Sequence, residues 1–332
     1  MKYQNILSEK LVQCTLCPRL CKLKRGQKGF CFVRENKDNE IILNTYGFNT
    51  GLSIDPIEKK PLYHFYPNKP ILSFGTTGCN MGCIFCQNYK TSKSKIDPKT
   101  LNKTEPFQIV EILKKYNVNL VAFTYNEPVI FFEYALDVAK LCKEENIKTV
   151  MVTSGYMNIE PAREIYKYID AANIDLKGFS EEFYNKNCYA SLKPVLELIK
   201  FVKNETNCHI ELTTMLIEKR NDTLDMIKKE ADWIIKNAGE NTPLHFSAFF
   251  PNYKLKNIPP TNFETLFNAR KTAIVEGLNY VYTGNLSTIE TSTTFCKNCR
   301  SPLIVRDGYK IKEYNLEGNK CKKCKTILDG CF

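Results

Sequence analysis

From Ile71 onward two periodicities alternate along the chain. Short apolar runs at 71–74, 119–124, 148–152, 172–176, 209–215, 244–249 and 279–282 read as buried strands. Between them apolar side chains recur at helical spacing. Phe132, Ala135, Leu136, Ala139 and Cys142 share one face, and Leu224, Ile227, Ala231, Ile234 and Ile235 share another behind an Asn221-Asp222 cap. Phe263, Leu266 and Phe267 begin a further helix. Strand and helix in alternation predict βαβ units and a parallel sheet. Six or seven such units predict an α/β fold, a full or partial TIM-like barrel, in which chemistry sits at the carboxyl ends of the strands. Polar residues recur at those ends: Tyr125-Asn126-Glu127-Pro128, Thr153-Ser154-Gly155, Asp175-Leu176-Lys177, His245 with Ser247, and Thr283-Gly284-Asn285.

The flanking regions lack this rhythm. Residues 1–67 are expected to form a Cys-rich metal-binding segment with a β-ribbon made of 41–43 and 46–52. Cys14, Cys17, Cys21 and Cys31 supply four thiolates there, suited to zinc or to a second iron–sulfur cluster, and spacing does not choose between them. Residues 55–67 carry three prolines among dense aromatics, which excludes a helix or a central strand. That segment is expected to lie across the mouth of the main domain, with His64 either a packed connector or a substrate-side group. Residues 68–290 form the expected barrel, where His209 opens its strand at the far end and reads as structural. Residues 291–332 place Cys296-x2-Cys299 and Cys321-x2-Cys324 around a hairpin turning at Asp307-Gly308. Four thiolates close a coordination sphere, so this module reads as a zinc ribbon, with an auxiliary iron–sulfur cluster as the second candidate. Cys331 has no assigned role.

Composition adds three constraints. Fifteen cysteines in 332 residues, clustered and without an apolar leader, argue for metal sites and reduced thiols in a soluble, cytoplasmic protein without a membrane partner. The formal charge of +11 is dense at Arg19, Lys22, Lys24, Arg25 and Lys28 and again from Lys310 to Lys325, which would favour an acidic macromolecule. The third constraint is the loop Gly78-Cys79-Asn80-Met81-Gly82-Cys83-Ile84-Phe85-Cys86. Structural zinc takes four protein ligands, whereas a [4Fe–4S] cluster on three thiolates leaves one iron open, and no fourth ligand follows closely in sequence.

Cys79-x3-Cys83-x2-Cys86 with Phe85 before the third cysteine resembles the signature of the radical S-adenosylmethionine (SAM) enzymes, and favours the open, six-unit (β/α)6 barrel. The resemblance implies that the open iron chelates SAM and that reduction cleaves it to methionine and a 5′-deoxyadenosyl radical that abstracts hydrogen. Asn126 and Glu127 stand where many such enzymes carry Gly-Gly-Glu supporting the SAM amino group, a departure at Asn126. Ser154, Asp175 and Lys177 match positions contacting the SAM carboxylate or ribose in glycyl-radical activating enzymes, and His245 resembles a late-strand histidine near SAM. Across its length, from the Cys14 group through Gly75-Thr76-Thr77-Gly78 to the terminal ribbon, the chain resembles AmmeMemoRadiSam-system radical SAM enzymes, relatives of the pyruvate formate-lyase activating enzyme. That implies an electron donor and association with Memo-like and AMMECR-like proteins. The substrate stays open: a protein glycyl residue, another protein, an RNA or a small metabolite. The contrasting expectation is a zinc-stabilised nucleic-acid-binding protein, without labile iron and with steeply salt-dependent binding.

Overall fold

The computed structural model describes residues 2–95 and 100–332. Its centre is one sheet of eight strands in sequential order. β1 (Pro70–Phe74), β2 (Leu120–Phe123), β3 (Lys148–Thr153), β4 (Ala171–Asp175), β5 (His209–Leu216), β6 (Leu244–Ala248) and β7 (Val281–Gly284) run parallel. Ser53–Pro56 pairs antiparallel with β1 and ends the sheet on that side. Among the described residues nothing pairs β7 with Ser53–Pro56, so the barrel is open. The strands are nearly continuous apolar runs because both faces are covered; all four residues of β2 are buried.

Helices α1 (Pro106–Lys115), α2 (Phe132–Glu144), α3 (Ile159–Ile165), α4 (Lys193–Glu205), α5 (Leu224–Ala238) and α6 (Phe263–Val275) supply the crossovers. α1 begins at a capping box of Glu105 and Gln108 with Pro106 in the first turn. α5 is capped by the Thr223 hydroxyl and not by Asn221-Asp222. Asn221 is buried instead, donating to the Lys177 and Met215 carbonyls at 2.8 and 2.9 Å, and so ties the ends of β4 and β5 together. Parity along the strands then sets function: Asn173 and Asp175, Thr213 and Met215, and His245 and Ser247 all face the barrel interior at successive depths.

The N-terminal ribbon differs from expectation. Residues 41–43 pair with Arg34–Lys37, not with 46–52. The reason is the two-residue turn Asp38-Asn39, both at positive φ (53° and 66°), which is the twist a tight hairpin needs. Phe48–Asn49 pairs with Asn102–Lys103.

The 55–67 segment also takes another course. Lys59 and Pro61 border the barrel mouth, but the aromatic stretch turns down the open side. Leu62 and Phe65 pack with Ile71, Leu120, Ala122, Val150 and Ala171 and plug the amino-terminal end. Each such large apolar side chain contributes about 2–3 kcal/mol. His64 is fully buried there, its ring bonded to the Asp329 carbonyl (3.0 Å) and the Tyr282 hydroxyl (2.7 Å), and burial pulls its pKa down to about 3. It is a packed connector.

The C-terminal module seals the same open side. Its sheet of Thr294–Phe295, Pro302–Asp307 and Lys310–Tyr314 carries Arg306, which is wholly buried. Arg306 donates to the Tyr63 carbonyl (2.7 Å) and the Thr294 hydroxyl (2.9 Å), stacks 4.2 Å from the Tyr63 ring centre, and lies 3.9 Å from the Glu58 carboxylate. Cys331 exchanges backbone bonds with His64 and Tyr66 (2.8 and 2.7 Å), and its side chain packs on the plug. That placement gives the odd thiol a structural role.

Candidate active site

The cleft at the carboxyl ends of the strands has a volume of about 290 Å³, at the lower edge of small-molecule sites. Cys79, Cys83 and Cys86 all line it, on the loop that leaves β1. Glycine is required where this loop is pressed from behind. A Cβ at Gly75 would lie 2.2 Å from the Thr124 carbonyl oxygen, and one at Gly78, where φ is +88°, would lie 2.2 Å from the Cys31 carbonyl oxygen.

Asn126 braces the same loop. Its Oδ1 accepts from the Thr76 amide (3.0 Å), and its Nδ2 donates to the Gly78 carbonyl (2.9 Å) and to the Thr76 hydroxyl (3.2 Å). Its amide is therefore engaged in holding the cysteine loop against β2. Glu127 is buried and accepts four bonds: from the Val129 amide (3.2 Å), the Thr153 hydroxyl (2.5 Å), the Ser154 amide (2.7 Å) and the Ser154 hydroxyl. Burial pushes its pKa up, and the Ser154 and Thr153 donors oppose that rise. Glu127 thus locks the ends of β2 and β3 together and fixes the rotamer of Ser154 at the cleft wall.

Across the cleft, Lys177 Nζ donates to Asp175 Oδ2 at 2.6 Å. Burial disfavours the Lys177 charge, but the charges on Asp175 and Cys83 outweigh it and raise its pKa. Phe85 is buried beside Phe183, ring centres 5.9 Å apart, and forms part of the floor. Lys93 bonds the Met81 carbonyl inside the cysteine loop. Burial pushes the Cys79 thiol up to about 12, while a bond from the Cys188 thiol brings Cys83 down to about 7. Two cations beside three thiols would offset the negative charge that thiolates bring to a metal cluster.

Cys188 and Lys93 escaped the sequence reading. Cys188 lies far along the chain and stands behind Cys83, outside the cleft lining; Lys93 sat in a segment without a motif. Asn285, already marked at the end of the last strand, lines the cleft, as do Asn173, Thr213 and Met215; strand parity from Asp175 would have found Asn173, whereas Thr213 and Met215 depend on the register of β5 between β4 and β6.

His245 is placed differently from the expectation of a position near SAM. Its Nε2 lies 2.7 Å from Glu211 Oε2, its ring packs edge-on against Tyr63 (4.8 Å between centres), and it is absent from the cleft wall. Glu211 is its reason. This buried carboxylate also meets His209 Nε2 (3.1 Å) and the His64 amide (2.7 Å), so all three histidines of the chain gather round it beneath the cleft. Burial alone would raise the Glu211 pKa, but the two imidazoles hold it well below the usual range. Ser247, two residues on, is the member of β6 that reaches the cleft, held by Asn285 at 2.9 Å.

The donor set fits a cluster with an open iron. Three thiols share one loop and one cleft wall, backed by lysines, and the space above them is walled by serine, asparagine, carboxylate and ammonium groups. The C-terminal cysteines are different: the sulfurs of Cys296 and Cys324 lie 3.5 Å apart, those of Cys299 and Cys321 3.8 Å apart, and all four within 4.8 Å. That group could bind a single metal ion.

Comparison with known proteins agrees with this geometry. The family model of the radical SAM superfamily matches residues 74–234. An uncharacterized protein of Methanocaldococcus jannaschii is 40% identical over 97% of this chain and 96% of its own. A pyruvate formate-lyase-activating enzyme of Clostridium pasteurianum is 27% identical over 48% of this chain and 67% of its own. A 4-hydroxyphenylacetate decarboxylase activating enzyme of Clostridioides difficile is 26% identical, with the match spanning 51% of this chain and 55% of the relative. Among solved structures, a radical SAM methyltransferase from Sphaerobacter thermophilus superimposes with a TM-score of 0.53 at 13% identity, over 66% of this chain and 67% of that one, a likeness of fold. No described helix is long and apolar enough to cross a membrane.

Proposed function

Because the chain belongs to the radical SAM superfamily and is an enzyme, we propose that it generates a 5′-deoxyadenosyl radical in this cleft and uses it to take hydrogen from a protein substrate. The observation that carries the proposal is the convergence of Cys79, Cys83 and Cys86 with the Glu127–Ser154 and Asp175–Lys177 pairs on one cleft. A [4Fe–4S] cluster held by the three thiolates would supply the electron that cleaves the SAM sulfonium.

The chain's own residues divide the remaining work. Asn126 and the glycines fix the cysteine loop. Glu127 orients Ser154 toward the SAM amino and carboxylate groups, and Asp175 with Lys177 presents one acceptor and one cation to the ribose and carboxylate. The buried Phe85 in the cleft wall, backed by Phe183, keeps water from the radical. An external one-electron donor is required.

Relatedness to activating enzymes supports a glycyl residue of a protein as the hydrogen source. The whole-chain motif pattern supports service in an AmmeMemoRadiSam system beside Memo-like and AMMECR-like proteins, and the cationic termini suit an acidic macromolecule. The zinc-stabilised nucleic-acid-binding alternative is not favoured, since a cleft lined by three thiols has no use in it. The test supplies reduced, cluster-loaded enzyme and SAM with a cell extract grown on Cα-deuterated glycine. Deuterium recovered in 5′-deoxyadenosine supports a glycyl donor. Unlabelled 5′-deoxyadenosine formed only when extract is present overturns it.

A further inference from the structure

We infer that the N-terminal cysteines Cys14, Cys17, Cys21 and Cys31 hold an iron–sulfur cubane and not a zinc ion. The argument compares the two four-cysteine groups of the chain. Tetrahedral zinc with its ordinary bond length sets thiolate sulfurs about 3.8 Å apart. The C-terminal sulfurs adopt that spacing, at 3.5 and 3.8 Å. Among the described residues they form the one group of three or more such donors whose ligand atoms all lie within 4.8 Å, so the N-terminal four are spread wider. A cubane puts each thiolate on its own iron and sets the sulfurs roughly 6 Å apart.

The four cysteines converge on one small apolar pocket, whose wall also includes Leu16, Arg34 and Asn80 of the catalytic loop. Backbone amides point at the sulfurs: Leu16 to Cys14, Arg19 to Cys17, and Val33 with Arg34 to Cys31. The C-terminal sulfurs of Cys296, Cys299 and Cys324 take backbone donors as well, so these bonds ready the thiolates for a metal of either kind and the spacing makes the choice. The Arg34 side chain, bonded to the Ile130 carbonyl (3.0 Å) and to Glu133, brings a buried cation to the same wall. Arg19 donates to the carbonyls of Asn80 and Tyr189, fastening the site to the catalytic loop.

Metal content decides the matter without recourse to catalysis. The Cys79→Ala/Cys83→Ala/Cys86→Ala protein, reconstituted anaerobically with iron and sulfide, has no catalytic cluster and leaves the N-terminal group intact. It is expected to keep about four iron and four sulfide per chain beside one zinc, with a paramagnetic signal on reduction. Adding Cys14→Ala and Cys17→Ala should remove that iron and leave the zinc. Two zinc atoms per chain, no metal beyond one zinc, or iron that survives the added substitutions would each overturn the assignment. None of these results depends on whether SAM is cleaved.

Discussion

Replacing Glu127 by Gln tests the framework of the cleft with a change of one atom. The carboxylate takes two donors on each oxygen, the Val129 amide and Thr153 hydroxyl on Oε1 and the Ser154 amide and hydroxyl on Oε2. A glutamine offers one accepting oxygen, and its NH2 must face one of these pairs. The hydroxyl of that pair can rotate and accept, but the backbone amide cannot. One buried N–H therefore loses a bond to a charged acceptor, a loss of about 1.5–3 kcal/mol. Relief of the buried charge returns part of it, and we expect a net destabilisation of about 2 kcal/mol in urea unfolding. If the amide faces Ser154, that residue swings out of register with SAM. The Kd for SAM should then rise by about tenfold or more while iron content stays unchanged. A Glu127→Gln protein within about 0.5 kcal/mol of the parent, with unaltered SAM affinity, would refute the reasoning.

Three further outcomes follow from other parts of the molecule. Glu230 is wholly buried, and burial raises its pKa to about 8 although the Thr214 hydroxyl donates to it. Between its ordinary pKa of about 4.5 and that value the folded chain keeps a proton the unfolded chain has lost. Its contribution is therefore full at low pH and is lost as pH rises to about 8, a change on the order of 4 kcal/mol. Urea midpoints of Glu230→Gln should gain on the parent between pH 5 and 8.5, and a constant difference would count against the assignment. Arg306→Met leaves Glu58 buried without its cation and should cost about 3 kcal/mol, read as faster proteolysis of residues 291–332. Lys177→Met removes the 2.6 Å partner of Asp175 and should weaken SAM binding about tenfold with cluster content preserved; unchanged calorimetric affinity would remove Lys177 from the site.

The barrel was legible because its strands are apolar runs buried on two faces and its helices repeat every three to four residues, signals that local sequence carries. The cysteine loop was legible for the same reason: its three cysteines lie within a few residues of one another. What escaped depends on contacts between distant segments. His245 shares a strand face with Ser247, but its depth is set by Glu211 on β5 and Tyr63 from the open side, neither of which its own neighbourhood reveals. The 55–67 segment forms no central strand and only a single 3-10 turn at Ile57–Lys59, yet its destination was decided by Arg306 and Cys331 far along the chain. The ribbon register follows from the Asp38-Asn39 turn, a local signal that the apolar composition of the strands does not carry.

The central claim is that the three-cysteine cleft cleaves SAM. The direct measurement is anaerobic quantification of 5′-deoxyadenosine from reconstituted protein, SAM and a strong one-electron reductant, beside the Cys79→Ala/Cys83→Ala/Cys86→Ala protein. The account expects product from the parent and none from the variant. A parent that carries its full complement of iron and sulfide and binds SAM, yet forms no 5′-deoxyadenosine with reductant, partner proteins and cell extract all supplied, would contradict it.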